Sequence, residues 1–189
     1  VVIHSPDISV RELGLFVMLA GSESNQFGAF IYGVSDNKVK RTEIINNGNL
    51  QIEKGTGISA LSNSLLTNSA EINVTTEGTG IKASNSEINN NSNGTITVTK
   101  GVNIDLSESV LENAALLSNS DGIGIKADNS TVKNTGNIDI TNGTAIEALN
   151  NSSILNTAYL KSGNTGINTS NSILLNEGKI DAAETGIYA

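Results

Sequence analysis

The chain has no cysteine, no tryptophan and a single histidine, and aromatic residues make up only 3% of its 189 positions. Without cysteine there are no disulfides and no thiolate metal sites. With His4 as the one imidazole, no Ser-His-Asp constellation can be assembled around the many serines. His4 also lacks the partner cluster that a metal ligand or a tuned general base requires, so it reads as an exposed terminal residue. Basic residues are scarce as well. Eleven Lys and Arg stand against 19 Asp and Glu, a formal net charge of −8. That balance argues against nucleic acid as a partner, because phosphate contacts need Lys and Arg. The shortage of aromatics removes the stacking platforms of single-strand binders. No apolar run approaches the ~20 residues that span a bilayer; the Gly14-Leu15-Phe16-Val17-Met18-Leu19-Ala20 stretch falls far short, so no direct membrane insertion is expected.

What is present is a repeat. Ile58, Ile81, Ile104, Ile125, Ile146, Ile167 and Ile187 form one column at spacings of 23, 23, 21, 21, 21 and 20 residues, within GTGISA, GTGIKA, GVNIDL, GIGIKA, GTAIEA, NTGINT and ETGIYA. Ser64, Ser86, Ser109, Ser130, Ser152 and Ser172 each stand four residues before Asn68, Asn90, Asn113, Asn134, Asn156 and Asn176. Periods of this length mark units that cannot bury their own hydrophobic face and must stack on their neighbours.

Gly, Asn, Ser and Thr dominate, and apolar residues alternate at period two rather than 3.6, which excludes helices. Leu50-Gln51-Ile52, Ile72-Asn73-Val74, Ile96-Thr97-Val98, Ile138-Asp139-Ile140 and Ile180-Asp181-Ala182 read as short strands with one buried face. A second strand begins at the column Ile, and the S-x-φ-x-N stretch is a third. The expected architecture is all-β: a single-stranded parallel β-helix with three short strands per rung and about seven regular rungs. At about 4.8 Å per rung the rod would be about 34 Å long. Its interior would hold the Ile column and two more, Ala60 to Ala189 and Leu66 to Leu174. The Asn column reads as a ladder of amides at a corner, where Asn also tolerates the left-handed conformation.

The outward column beside the Ile stack reads Ser59, Lys82, Asp105, Lys126, Glu147, Asn168, Tyr188. Opposite charges on adjacent strands contribute about 0.2–1 kcal/mol, and like charges destabilise. The alternation therefore reads as a charge ladder, repeated at Asp139, Lys161 and Asp181. A glycan-active enzyme of this architecture would need paired carboxylates about 5–9.5 Å apart across a groove. Asp105 and Glu147 come near that separation, but Lys126 stands between them, as Lys161 stands between Asp139 and Asp181. Gly55-Thr56-Gly57 and Gly122-Ile123-Gly124 lack the Lys-Ser/Thr continuation of a phosphate loop and read as turns. Asp is too sparse for calcium-binding nonapeptides. Sequons such as Asn73-Val74-Thr75 carry little information in so Asn-rich a chain. No catalytic, cofactor-binding or metal-binding residue is expected, and no binding residue stands out.

Residues 46–189 carry the regular repeat. Residues 1–45 blur it, with apolar stretches at Gly14-Leu15-Phe16-Val17 and Phe27-Gly28-Ala29-Phe30-Ile31 and a basic cluster at Lys38-Val39-Lys40-Arg41. They read as irregular rungs or an N-terminal cap, because repeat arrays need their ends covered. A chain that begins at Val1 without Met and ends just after a column position is expected to be part of a longer one.

The GTGI-x-A, S-x-φ-x-N and N-x-G-x-I phrases of residues 46–189 resemble the passenger domains of bacterial type V autotransporters, most of all the large fusobacterial autotransporter adhesins. The resemblance implies a right-handed β-helix carried to the bacterial surface by a C-terminal membrane barrel of the parent chain. It implies an adhesin, displayed at the outer membrane or secreted, whose partner is a host-cell protein or glycan. The matched positions are all scaffold, so it supplies no site residue. Two alternatives stand beside it: a β-helical polysaccharide lyase or tailspike-like hydrolase, and a pure structural spacer.

Overall fold

The computed structural model describes residues 41–189, and the backbone of 8–11, 15–20 and 28–33. His4 and Lys38–Lys40 lie outside the described residues, as does most of the 1–45 segment. The described chain is all-β: β1 (Ile8–Arg11), β2 (Leu15–Ala20), β3 (Gly28–Gly33), β4 (Thr42–Asn46), β5 (Leu50–Leu61), β6 (Ser64–Asn68), β7 (Ile72–Ser84), β8 (Glu87–Asn90), β9 (Ile96–Ser107), β10 (Val110–Asn113), β11 (Leu117–Asp128), β12 (Thr131–Asn134), β13 (Ile138–Leu149), β14 (Ser153–Asn156), β15 (Leu160–Ser162), β16 (Thr165–Thr169), β17 (Ile173–Asn176), β18 (Ile180–Ala182) and β19 (Thr185–Tyr188). The short strands stack in the order β1-β4-β6-β8-β10-β12-β14-β17, and the long ones in a second sheet from β2 to β18. From β3 and β4 onward the pairings are parallel, with a register shift only in β5–β7 and β7–β9, which makes the chain a parallel β-helix of about seven rungs.

The repeat columns are the pairing register. Ile58 pairs with Ile81, Ile81 with Ile104, and so on to Ile187. Ile58 to Ile167 are fully buried, as are Leu66, Ile88 and Leu111; Ile187, in the outermost rung, is 49% exposed. One continuous core runs the length of the stack, and burial of each such side chain stabilises by about 1.5–3 kcal/mol.

The strand count differs from the expectation in an informative way. The first two strands of each rung are one continuous strand of 12 or 13 residues in β5, β7, β9, β11 and β13. Gly55, Gly101, Gly122 and Gly143 at the bend have φ between 115° and 153°, a region open to glycine but strained for other residues. From β9 to β13 the strand therefore turns without a shift of register, whereas the β5–β7 and β7–β9 pairings shift beside the bend, after Ile52 and Val74. Asn164 and Glu184 follow Gly143 in this column through backbone bonds. There the rung divides into β15 and β16, then β18 and β19.

The Ser and Asn columns close the other corners. Each column Ser accepts the backbone N–H of the Ser one rung before, from Ser64→Ser86 at 3.2 Å to Ser152→Ser172 at 3.2 Å. Its hydroxyl donates to a carbonyl two or three residues upstream. The residue just before it is left-handed: Asn63, Asn85, Glu108, Asn129, Asn151 and Asn171 have φ of 46–64°. The Asn side chains form an unbroken ladder in which each Nδ2 donates to the next Oδ1 at 2.7–2.8 Å, from Asn46 to Asn176.

The ladder begins at Asn46 because Thr42–Asn46 already pairs in register with Ser64–Asn68, so the regular stack includes β4. Beyond it both sheets change direction: β1 is antiparallel to β4, and β2 antiparallel to β3. β1 places Ile8, not an amide, in register with Asn46, and the buried Asn46 Oδ1 has no donor among the described residues.

Candidate functional surface

With the repeat columns turned inward, the chemistry available to a ligand lies on the outward positions. The register brings Lys82, Asp105, Lys126 and Glu147 together on consecutive rungs, as the column predicts. It does not bring them into contact. Among the described residues the ion pairs are Arg41–Glu87, Lys54–Glu77, Lys133–Glu112 and Lys161–Asp139. Only the last belongs to the charge alternations read from the sequence, at 3.2 Å. Ser59, at the head of the outward column, is buried beside β3 rather than exposed. All four pairs are exposed, a setting in which an ion pair contributes about 0–1 kcal/mol.

Asp105 and Glu147 lie two rungs apart, about 9.6 Å along the stack, with Lys126 in the rung between. The described residues show no group of three or more His, Asp or Glu able to hold a metal ion. Gly55-Thr56-Gly57 and Gly122-Ile123-Gly124 fall inside β5 and β11, at the bends between two faces of a rung. No helix of the described residues is long and apolar enough to cross a membrane.

The densest outward cluster was not singled out in the sequence. Tyr159, just before β15, donates its hydroxyl to Asp181 at 2.9 Å. Lys179, just before β18, places its Nζ 5.3 Å from the Tyr159 ring centroid, within cation–π range. Lys161 pairs with Asp139 alongside. The hydrogen bond to Asp181 raises the Tyr159 pKa, with smaller contributions from partial desolvation and from the Asp181 and Asp139 charges. The signal was available: the position before each first strand reads Asn49, Glu71, Thr95, Leu116, Asn137, Tyr159, Lys179, and Tyr159 is its one aromatic. A second outward feature is apolar, where Ile173 and Leu175 are exposed beside Leu155. These are the positions where rungs differ most, and they place an amphipathic ring, paired charges and aliphatic side chains on a rigid grid. Searches for related family models, curated proteins and solved structures return no match.

Proposed function

We propose that the chain is a segment of a surface-displayed bacterial adhesin of the autotransporter type. In this reading a stiff β-helical stalk binds, or presents binding sites for, host-cell proteins or glycans. The observation that carries the reading is the division of labour between columns. The repeated residues point inward or close a corner, and most of what varies from rung to rung is on the outside. Such a scaffold holds a patterned surface at a fixed distance and orientation, and side chains on a rigid grid lose little entropy on binding. The resemblance of the repeat phrases adds the surface location and the parent's membrane barrel. A pure spacer is the second reading, favoured by the four exposed ion pairs that join outward charges of different rungs.

The experiment is binding of the purified chain to cultured host cells and to a glycan array. The control is Ile125→Asp, which puts a carboxylate into a fully buried column position and unfolds the stack; Lys126→Ala, outward and half-buried, leaves it folded. Saturable binding by the folded forms, lost in the control, supports the adhesin. Absence of binding by a chain shown folded by circular dichroism refutes it in favour of the spacer.

A further inference from the structure

The Ser and Asn ladders hold rung to rung but carry no information about which rung meets which, because every rung offers the same partners. A stack of near-identical units therefore needs something that differs between them. Two interior columns are broken in consecutive rungs. Asn103 stands in register with Gly57, Gly80, Gly124, Ala145 and Gly166. Asn119 stands in register with Ile52, Val74, Val98, Ile140, Ser162 and Ala182. Both are buried, at 0% and 2% exposure.

The two amides satisfy each other and the strands that carry them. Asn103 Nδ2 donates to the carbonyls of Ile96 and Ser118, each at 2.8 Å. Asn119 Nδ2 donates to the Gly101 carbonyl at 3.0 Å and to Asn103 Oδ1 at 3.1 Å. Asn119 Oδ1 accepts the Asp121 N–H at 3.0 Å. All these partners lie on β9 and β11.

The two columns also touch. A Cβ at Gly124 would lie 2.7 Å from Ile138 Cγ2 and 3.3 Å from Ile140 Cδ1, and one at Gly57 would lie 2.8 Å from Ile72 Cγ2 and 3.4 Å from Ile52 Cδ1. Where the next rung opens with Ile, the first column has no room for a side chain: it is Gly before Ile72, Ile96, Ile138 and Ile180, whereas Asn103 precedes the rung of Leu117 and Ala145 that of Leu160. Set against a rung that opens with Ile, the Asn103 side chain would meet the Cγ2 methyl that keeps this column Gly elsewhere. Set against the rung of Ser162, it would face a hydroxyl already bonded to Gly143 and Thr165 rather than an amide. Both Asn103 Oδ1 and Asn119 Nδ2 would lose the bond between them, an outcome that native interiors avoid.

We propose that Asn103 and Asn119 form a register key, a matched pair of buried amides that favours the correct neighbour in a stack whose other ladders fit any rung. The logic is that of a single buried Asn fixing the register of a coiled coil.

The chain has no cysteine, so engineered disulfides can report the register. Asp105 and Lys126 are register partners, whereas Lys82 and Lys126 lie two rungs apart. At about 9.6 Å the latter pair exceeds the reach of a disulfide, about 7 Å between Cα atoms. Each chain is unfolded and refolded in oxidising glutathione buffer. With the key intact, D105C/K126C should close and K82C/K126C should stay open. With the key removed by Asn103→Gly and Asn119→Val together, K82C/K126C should close in a severalfold larger fraction, recording rungs that have skipped a neighbour. A K82C/K126C yield unchanged by removing the key would overturn the proposal. Urea unfolding of the cysteine-free variants supplies the second readout. The double variant should have a higher midpoint than Asn119→Val alone, in which Asn103 Oδ1 is left without its donor. Additive losses, or a double variant less stable than either single one, would equally overturn it.

Discussion

Asn113 is the residue whose removal separates a true ladder from a row of coincident asparagines. It is 1% exposed. Its Oδ1 accepts from Asn90 Nδ2 at 2.7 Å, and its Nδ2 donates to Asn134 Oδ1 at 2.7 Å and to the Ala115 carbonyl at 3.0 Å. Asn113→Ala leaves Asn90 Nδ2 and Asn134 Oδ1 without partners in a site closed to water. A buried polar group so stranded costs about 1–3 kcal/mol, so the substitution should destabilise by about 4 kcal/mol. Asn46→Ala, at the ladder's end, strands only Asn68 Oδ1. It also removes an Oδ1 that has no donor among the described residues, so its cost should be about 1 kcal/mol. Asn91→Ala, which loses one exposed bond to Ser69, should stay within about 0.5 kcal/mol. Urea unfolding followed by far-UV circular dichroism measures all three. The difference of about 3 kcal/mol between Asn113 and Asn46 is a factor of about 100 in the unfolding equilibrium. Equal losses at the two positions would refute the ladder as the source of stability at this corner.

Glu108 holds the left-handed corner position that Asn holds in the other rungs. Glu108→Asn should therefore raise the thermal midpoint by about 2–4 °C, for a gain of about 1 kcal/mol; a fall would contradict the corner assignment. Two glycines of one column should respond differently to alanine. A Cβ at Gly122 would meet the Gly101 carbonyl oxygen, whereas one at Gly55 meets nothing within 4 Å among the described residues. Gly55→Ala should cost only its backbone strain, about 1–3 kcal/mol, and Gly122→Ala should prevent stable folding, as read by circular dichroism. The Tyr159 phenol should titrate above its ordinary range, because ionisation breaks its bond to Asp181 and sets a phenolate beside a carboxylate. Asp181→Asn should bring that titration, followed by ultraviolet difference absorbance, back down; an unchanged titration would remove the hydrogen bond as its cause.

The columns were legible because stacking demands the same side chain at the same place in each turn, and a period near 21 cannot hide. The Ser64-to-Ser172 and Asn68-to-Asn176 rules are the corner chemistry written directly into the chain. The merging of two strands at each glycine bend was not legible, since it depends on φ at Gly101 or Gly143 rather than on which residue types flank them. Nor was Arg41–Glu87, an ion pair that skips a rung: its partners are 46 residues apart, about twice the period. Lys82, Asp105 and Lys126 show the converse limit. Register puts opposite charges side by side, but long side chains on an outward face need not meet once solvent can hold them. Asn103 and Asn119 were visible as breaks in two columns, a signal that a search for regularity passes over. The outward surface was least legible because no repeat constrains it, and Tyr159 has no counterpart in the other rungs.

The account rests on the interior ladder, and its side-chain amides can be observed one by one. Hydrogen exchange of the Asn Nδ2 protons by nuclear magnetic resonance is the most direct test. Asn68, Asn90, Asn113, Asn134 and Asn156 should exchange orders of magnitude more slowly than the exposed Asn91 and Asn150. Ladder amides that exchange as fast as the exposed ones would contradict the stacked interior and the assignment of function to the outward faces.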